Sequence, residues 1–116
     1  AQDRAEITRY GAQHLARRMV SVLLDVGRGL ASTEGEEGPA VEALRLLHDR
    51  LTAELKAAGV VRIEAKGNAF DPSKMEAITT VPATDEHPAG QVIEELEAGF
   101  MLHDRVLQAS RVVVAA

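Results

Sequence analysis

Residues 70–115, FDPSKMEAITTVPATDEHPAGQVIEELEAGFMLHDRVLQASRVVVA, decide the fold of this chain. Asp71-Pro72 marks a turn, and Ala77 to Val81 (AITTV) is a β-branched run that predicts a strand. Asp85 to Gly90 (DEHPAG) is a second turn. Arg111 to Val114 (RVVV) is the clearest strand signal in the sequence. Gln91 to Ala98 (QVIEELEA) is ambiguous: its residues favour helix locally, yet it is short and lies between a turn and Gly99.

Upstream, Val60, Val61 and Ile63 begin the β-rich half, and Gly67-Asn68 marks a further turn. Before them stands Gly59, at the position where a helix commonly stops. The helix it ends carries Val41, Leu44, Leu47, His48, Leu51, Leu55 and Ala58 on one stripe. Pro39 suits its first turn, after the solvated connection Ser32 to Pro39 (STEGEEGP). An earlier helix is predicted from Leu15, Met19, Val22, Leu23, Val26 and Leu30, which recur at three- and four-residue steps. Gly27 and Gly29 suggest fraying at its end, since each costs about 1 kcal/mol against alanine in a helix interior.

Two amphipathic helices joined by a short loop leave one apolar face open, which a second copy of the hairpin would cover as a four-helix bundle. Composition favours association. Of 116 residues, 46% are hydrophobic but only 3% aromatic, so a small core must be built from aliphatic side chains. Leu15, Met19, Val22, Leu44, Leu51 and Leu55 are assigned to dimerisation, with packing inside one protomer as the alternative. The expected class is α+β: a helical region at 1–59 forming a dimeric bundle, then a small all-β head at 60–116.

The net charge of −5 argues against nucleic acid or an anionic membrane as partner. No cysteine is present, which excludes disulfides, thiolate metal sites and a cysteine nucleophile. No run approaches the roughly 18 apolar residues of a membrane span. The chain opens at Ala1 without methionine in helix-like sequence, and so reads as a fragment of something longer. His14, His48, His87 and His103 include no pair at i, i+4, so no metal site and no cofactor is expected. His103-Asp104-Arg105 has the wrong order for a catalytic-loop tripeptide, and no nucleophile or phosphate-loop pattern accompanies it. The acidic run Glu94, Glu95, Glu97 reads as a solvated edge.

The segment quoted first closely resembles the C-terminal head of the GrpE family. The resemblance rests on Phe70-Asp71-Pro72, Glu76-Ala77, Pro88 and Gly90, Gly99-Phe100, Leu102, Arg105-Val106-Leu107 and the closing valine strand, in family order and spacing. Tyr10 to Leu30 and Ala58-Gly59-Val60 resemble the family more loosely. Met75 departs from the usual histidine, and Leu24, Gly27 and Gly29 depart from the usual Asp, Glu and Ala. Of the family's long N-terminal helix only a stub, roughly Asp3 to Gly11, is expected.

The resemblance implies a homodimer with two β heads, Gln91 to Ala98 as a strand, and a non-enzymatic co-chaperone. Its partner would be the nucleotide-binding domain of a DnaK-type heat-shock chaperone, from which it promotes ADP release, in the bacterial cytoplasm rather than an organelle matrix. By position in the family motif, Arg105 is the polar anchor, Leu96 and Val114 are apolar contacts, and Pro72 shapes a neighbouring loop. Alternatively, Arg105 pairs with Asp104 or a nearby glutamate, and Leu96 and Val114 face their own core. The competing reading is a bundle adaptor whose β head binds another protein without exchange activity.

Overall fold

In the computed structural model, residues 2–116 have an assigned backbone, and side chains are described from residue 11 onward. The stub expected over Asp3 to Gly11 thus lies almost wholly outside the described side chains. The elements are α1 (Gln2–Ala31), α2 (Pro39–Ala57), β1 (Val60–Arg62), β2 (Met75–Val81), β3 (Val92–Glu97), β4 (Phe100–Leu102), β5 (Arg105–Gln108) and β6 (Ser110–Ala115). They fall into two compact units, Ala1–Val60 and Val61–Ala116.

The first unit is the α1–α2 hairpin. Pro39 opens α2 after Gly38, and Ala58 and Gly59 close it by donating to the carbonyls of Glu54 and Lys56. Gly59 has φ +97°, which is the left-handed geometry that a helix stop requires. Val20, Leu23 and Leu55 are buried. The expected fraying at Gly27 and Gly29 is absent, because α1 runs on to Ala31. Both glycines face α2: a Cβ at Gly27 would lie 3.7 Å from His48 Nε2, and one at Gly29 would lie 3.8 Å from Leu44 Cδ2. Those are ordinary contacts, so an added methyl fits. Gly29→Ala is expected to stabilise the helical unit by about 0.5–1 kcal/mol through helix propensity. Denaturation followed by helical circular dichroism reads it, and a lowered midpoint would refute the fit.

The second unit holds two three-stranded sheets, ordered β1-β4-β5 and β2-β6-β3. Strand β6 is central in its sheet, parallel to β2 and antiparallel to β3. It is buried on both faces, with Val112, Val113 and Val114 at 0%, 9% and 7% exposure, which is why it reads as an unbroken valine run. The core joins Ile63, Ala65, Met75, Val92, Val112 and Val114, with Phe70 and Met101 packed against it.

Residues 92–97 are a strand, as the family resemblance implied and local preference did not. Pairing with β6 along one edge satisfies part of their backbone groups, and Val92 at 1% exposure anchors them in the core. The β4–β5 hairpin carries only a weak turn signal, Asp104. Its turn is His103-Asp104, without glycine, asparagine or proline, and His103 takes φ +52°.

Candidate functional site

Arg105 opens β5 directly after that turn, opposite Leu102, and its side chain is exposed. Leu96 lies on β3 and is 55% exposed. Across from it, Glu95 is opposite Val112 while Glu97 is opposite Arg111, so Leu96 is the extra residue of a β-bulge. Such a bulge bends its strand and re-aims a side chain.

Val114 is a correction. Its side chain belongs to the core cluster between its neighbours Thr80 of β2 and Val92 of β3, and at 7% exposure it offers no apolar contact surface. A run of three valines does not reveal which faces are covered, because that depends on strands distant in sequence. Leu96 and Val114 therefore do not share an exposed face, as their shared role would need.

Pro72 is exposed at the crest of a tight turn built by Asp71. The Asp71 carboxylate accepts from the Ser73 hydroxyl at 2.6 Å and the Ser73 amide at 2.9 Å. Its carbonyl accepts from the amides of Lys74 and Met75. The Ser73 hydroxyl, followed by the Ser73 amide, holds the Asp71 carboxyl below its ordinary value of 3.8. A depressed folded-state value means the turn's contribution is complete above pH ~4 and is lost as pH falls through the lower folded value. The stability difference between the parent and Asp71→Asn is expected to be flat above pH ~5 and to change only on acidification below ~4. Denaturant titrations from pH 7 to 2 check this, and a step near neutrality would contradict it.

The acidic run on β3 is also corrected. Glu94 is exposed, but Glu95 and Glu97 are not a solvated edge. The Glu95 side chain is only 8% exposed and is ion-paired with Arg62 of β1. Glu97 Oε1 accepts from Gln108 Nε2 of β5 at 2.8 Å, and its Oε2 lies 3.7 Å from the Arg111 guanidinium of β6. Sequence reading missed these roles because every partner lies more than ten residues away.

On the hairpin, the residues assigned to dimerisation divide. Leu15 and Val22 are exposed at 62% and 47%, Met19, Leu44 and Leu51 are half-buried, and Leu55 is buried at 8%. Leu46, and Leu47 of the α2 stripe, neither of them named among the dimerisation residues, stand out at 68% and 57%. Leu46 lies off the three- and four-residue stripe, so periodicity passed over it. Among the described residues no cluster of His, Cys, Asp or Glu could hold a metal ion, and no helix is long and apolar enough to cross a membrane.

Together these features define an α+β protein, a helical hairpin followed by a β unit of two small sheets. The GrpE family model matches residues 1–116, the whole chain. Protein GrpE of Tetragenococcus halophilus is 36% identical over 115 residues, covering 97% of this chain and 60% of that protein. Protein GrpE of Pediococcus pentosaceus is 37% identical over 114 residues, covering 98% and 60%. Protein GrpE of Fructilactobacillus sanfranciscensis is 36% identical over 116 residues, covering 98% and 64%. The chain belongs to the GrpE family, and it spans about 60% of the length of these relatives.

Proposed function

We propose that this chain is a co-chaperone, the dimerisation and head portion of a nucleotide exchange factor that promotes ADP release from a DnaK-type chaperone. The observation that carries this reading is the family match from the first residue to the last. Exchange needs no catalytic group. The head has to bind the open form of the chaperone's nucleotide cleft better than the closed form, and that difference in affinity lowers nucleotide affinity. Linkage makes the effect reciprocal, so bound nucleotide weakens the exchange factor's hold by the same factor.

In this reading residues 60–116 are the head and 1–59 the dimerisation region. Arg105 and Leu96 touch the chaperone, and Pro72 shapes a neighbouring loop. Val114 contributes by holding β6 in the core instead of by contact. The partner of the hairpin is a second copy, and the two hairpins form a four-helix bundle. Exposed Leu15, Val22, Leu46 and Leu47 support that assignment, since burying such a side chain contributes about 1.5–3 kcal/mol. The setting is the bacterial cytoplasm.

Two measurements test the proposal. Release of a fluorescent ADP analogue from a DnaK-type chaperone is expected to accelerate when this chain is added. Binding without acceleration would favour an adaptor. Sedimentation is expected to give a dimer at micromolar concentration, and Leu47→Glu is expected to weaken it about 100-fold or more by burying a charge. A monomeric parent chain would refute the dimer.

A further inference from the structure

The exchange reading gives Leu96 a contact to make but leaves its two acidic neighbours without a purpose. Each reaches a different strand of the other sheet. Glu95 pairs with Arg62 at the end of β1, and Glu97 accepts from Gln108 at the end of β5. Strands β1 and β5 are the two outer strands of the β1-β4-β5 sheet. Two carboxylates flanking one bulge residue thus attach β3 to both edges of the second sheet. The bulge residue, Leu96, stands exposed between the two attachment points.

This arrangement is not what a solvated acidic run would form. Exposed carboxylates contribute little to stability, and Glu94 is exposed. Glu95 has instead been taken almost wholly out of water, which is unfavourable unless the charge is paired. Glu97 bridges β5 and β6 through its two oxygens. A bulge interrupts the ladder that would otherwise hold β3 straight, so other contacts must fix the angle at which Leu96 projects.

We propose that Glu95 and Glu97 are positioning residues whose carboxylates clamp β3 to β1 and β5, holding Leu96 in a fixed place relative to Arg105, the residue that opens β5. The proposal rests on the exchange-factor reading, in which Leu96 and Arg105 are the two contacts presented to the chaperone. A preorganised pair of contacts binds more tightly because less ordering is left to occur in the complex. Glu97 is the more direct arm of the clamp to test, since its partner Gln108 lies on the strand that carries Arg105.

The full chain is titrated into a DnaK-type chaperone loaded with a fluorescent ADP analogue, and the Leu96 amide is followed by NMR relaxation in the free chain. Glu97→Ala is expected to raise the half-saturating concentration about fivefold to tenfold and leave the maximal release rate unchanged. Glu97→Gln keeps an oxygen for the Gln108 amide and is expected to stay within about twofold of the parent. Gln108→Ala is expected to match Glu97→Ala, and the double variant to lose about as much as either alone. In both alanine variants the Leu96 order parameter is expected to fall from about 0.85 to below about 0.6.

Full affinity with an unchanged Leu96 order parameter in the alanine variants would overturn the clamp. Should Glu97→Ala fail to fold, Gln108→Ala carries the same two readouts and decides between the same outcomes. If the parent chain neither binds nor accelerates release, the exchange reading fails. The clamp is then judged on relaxation alone, where an unmoved Leu96 in Gln108→Ala overturns it and a loosened one upholds it.

Discussion

Replacing Gly99 by alanine is expected to destabilise the β unit by about 3 kcal/mol or more. A Cβ at Gly99 would overlap both the backbone nitrogen and the Oγ of Ser110, and would lie 2.8 Å from the Gln108 carbonyl oxygen. Two of those three atoms are backbone, so no side-chain rotation relieves the overlap. The surroundings are also tied. Ser110 N donates to the Lys74 carbonyl at 3.1 Å, and the Gly99 carbonyl accepts from Ile63 N at 2.9 Å. Ser110 is fully buried, and its hydroxyl has no hydrogen-bond partner in the structure.

The junction of β3 with β4 is thus pressed against the junction of β5 with β6, and only a residue without a side chain fits between them. The thermal midpoint of the β unit is expected to fall by roughly 10–20 °C. Adding Ser110→Gly removes the hydroxyl but neither backbone atom, so the double variant is expected to recover little. A midpoint for Gly99→Ala within about 2 °C of the parent would show that the junction yields.

Under the proposed exchange function, Arg105→Ala is expected to leave the fold and the proposed dimer intact while weakening chaperone-stimulated ADP release by about 2 kcal/mol, or roughly thirtyfold. The side chain is exposed at the start of an outer strand, so its removal opens no cavity in the core. It does make an interaction within the chain. A parallel denaturation curve therefore separates a structural loss from a contact loss. Arg105→Lys keeps the charge but not the planar, five-donor fork, and is expected to recover only part of the activity. Unchanged stimulation in Arg105→Ala would remove the residue from the contact surface.

Features that depend on neighbours within about four residues were legible from the chain alone. The second helix, the Gly59 stop, the Asp71-Pro72 turn and the strands near 77–81 and 111–114 all appear where composition and spacing placed them. Each is governed by backbone preference or by one face of one element, and both are written locally. The candidate site was legible only in part. Arg105 and Leu96 came from family spacing, and both prove to be exposed. Val114 came from the same source and proves to be core.

Everything that failed to show in the linear chain involves partners brought together from a distance. Residues 92–97 adopt a strand because β6 offers a ladder, against their own helical leaning. Gly27 and Gly29 fit within a helix because α2 packs beside them. Glu95 and Glu97 read as a charged edge until Arg62 and Gln108 arrive from β1 and β5. Whether a carboxylate is solvated or clamped, and whether a valine is contact or core, depends on which atoms replace water around it. That replacement happens only when separate segments pack, so local pattern could name the elements of this protein but not the neighbours that give its side chains their roles.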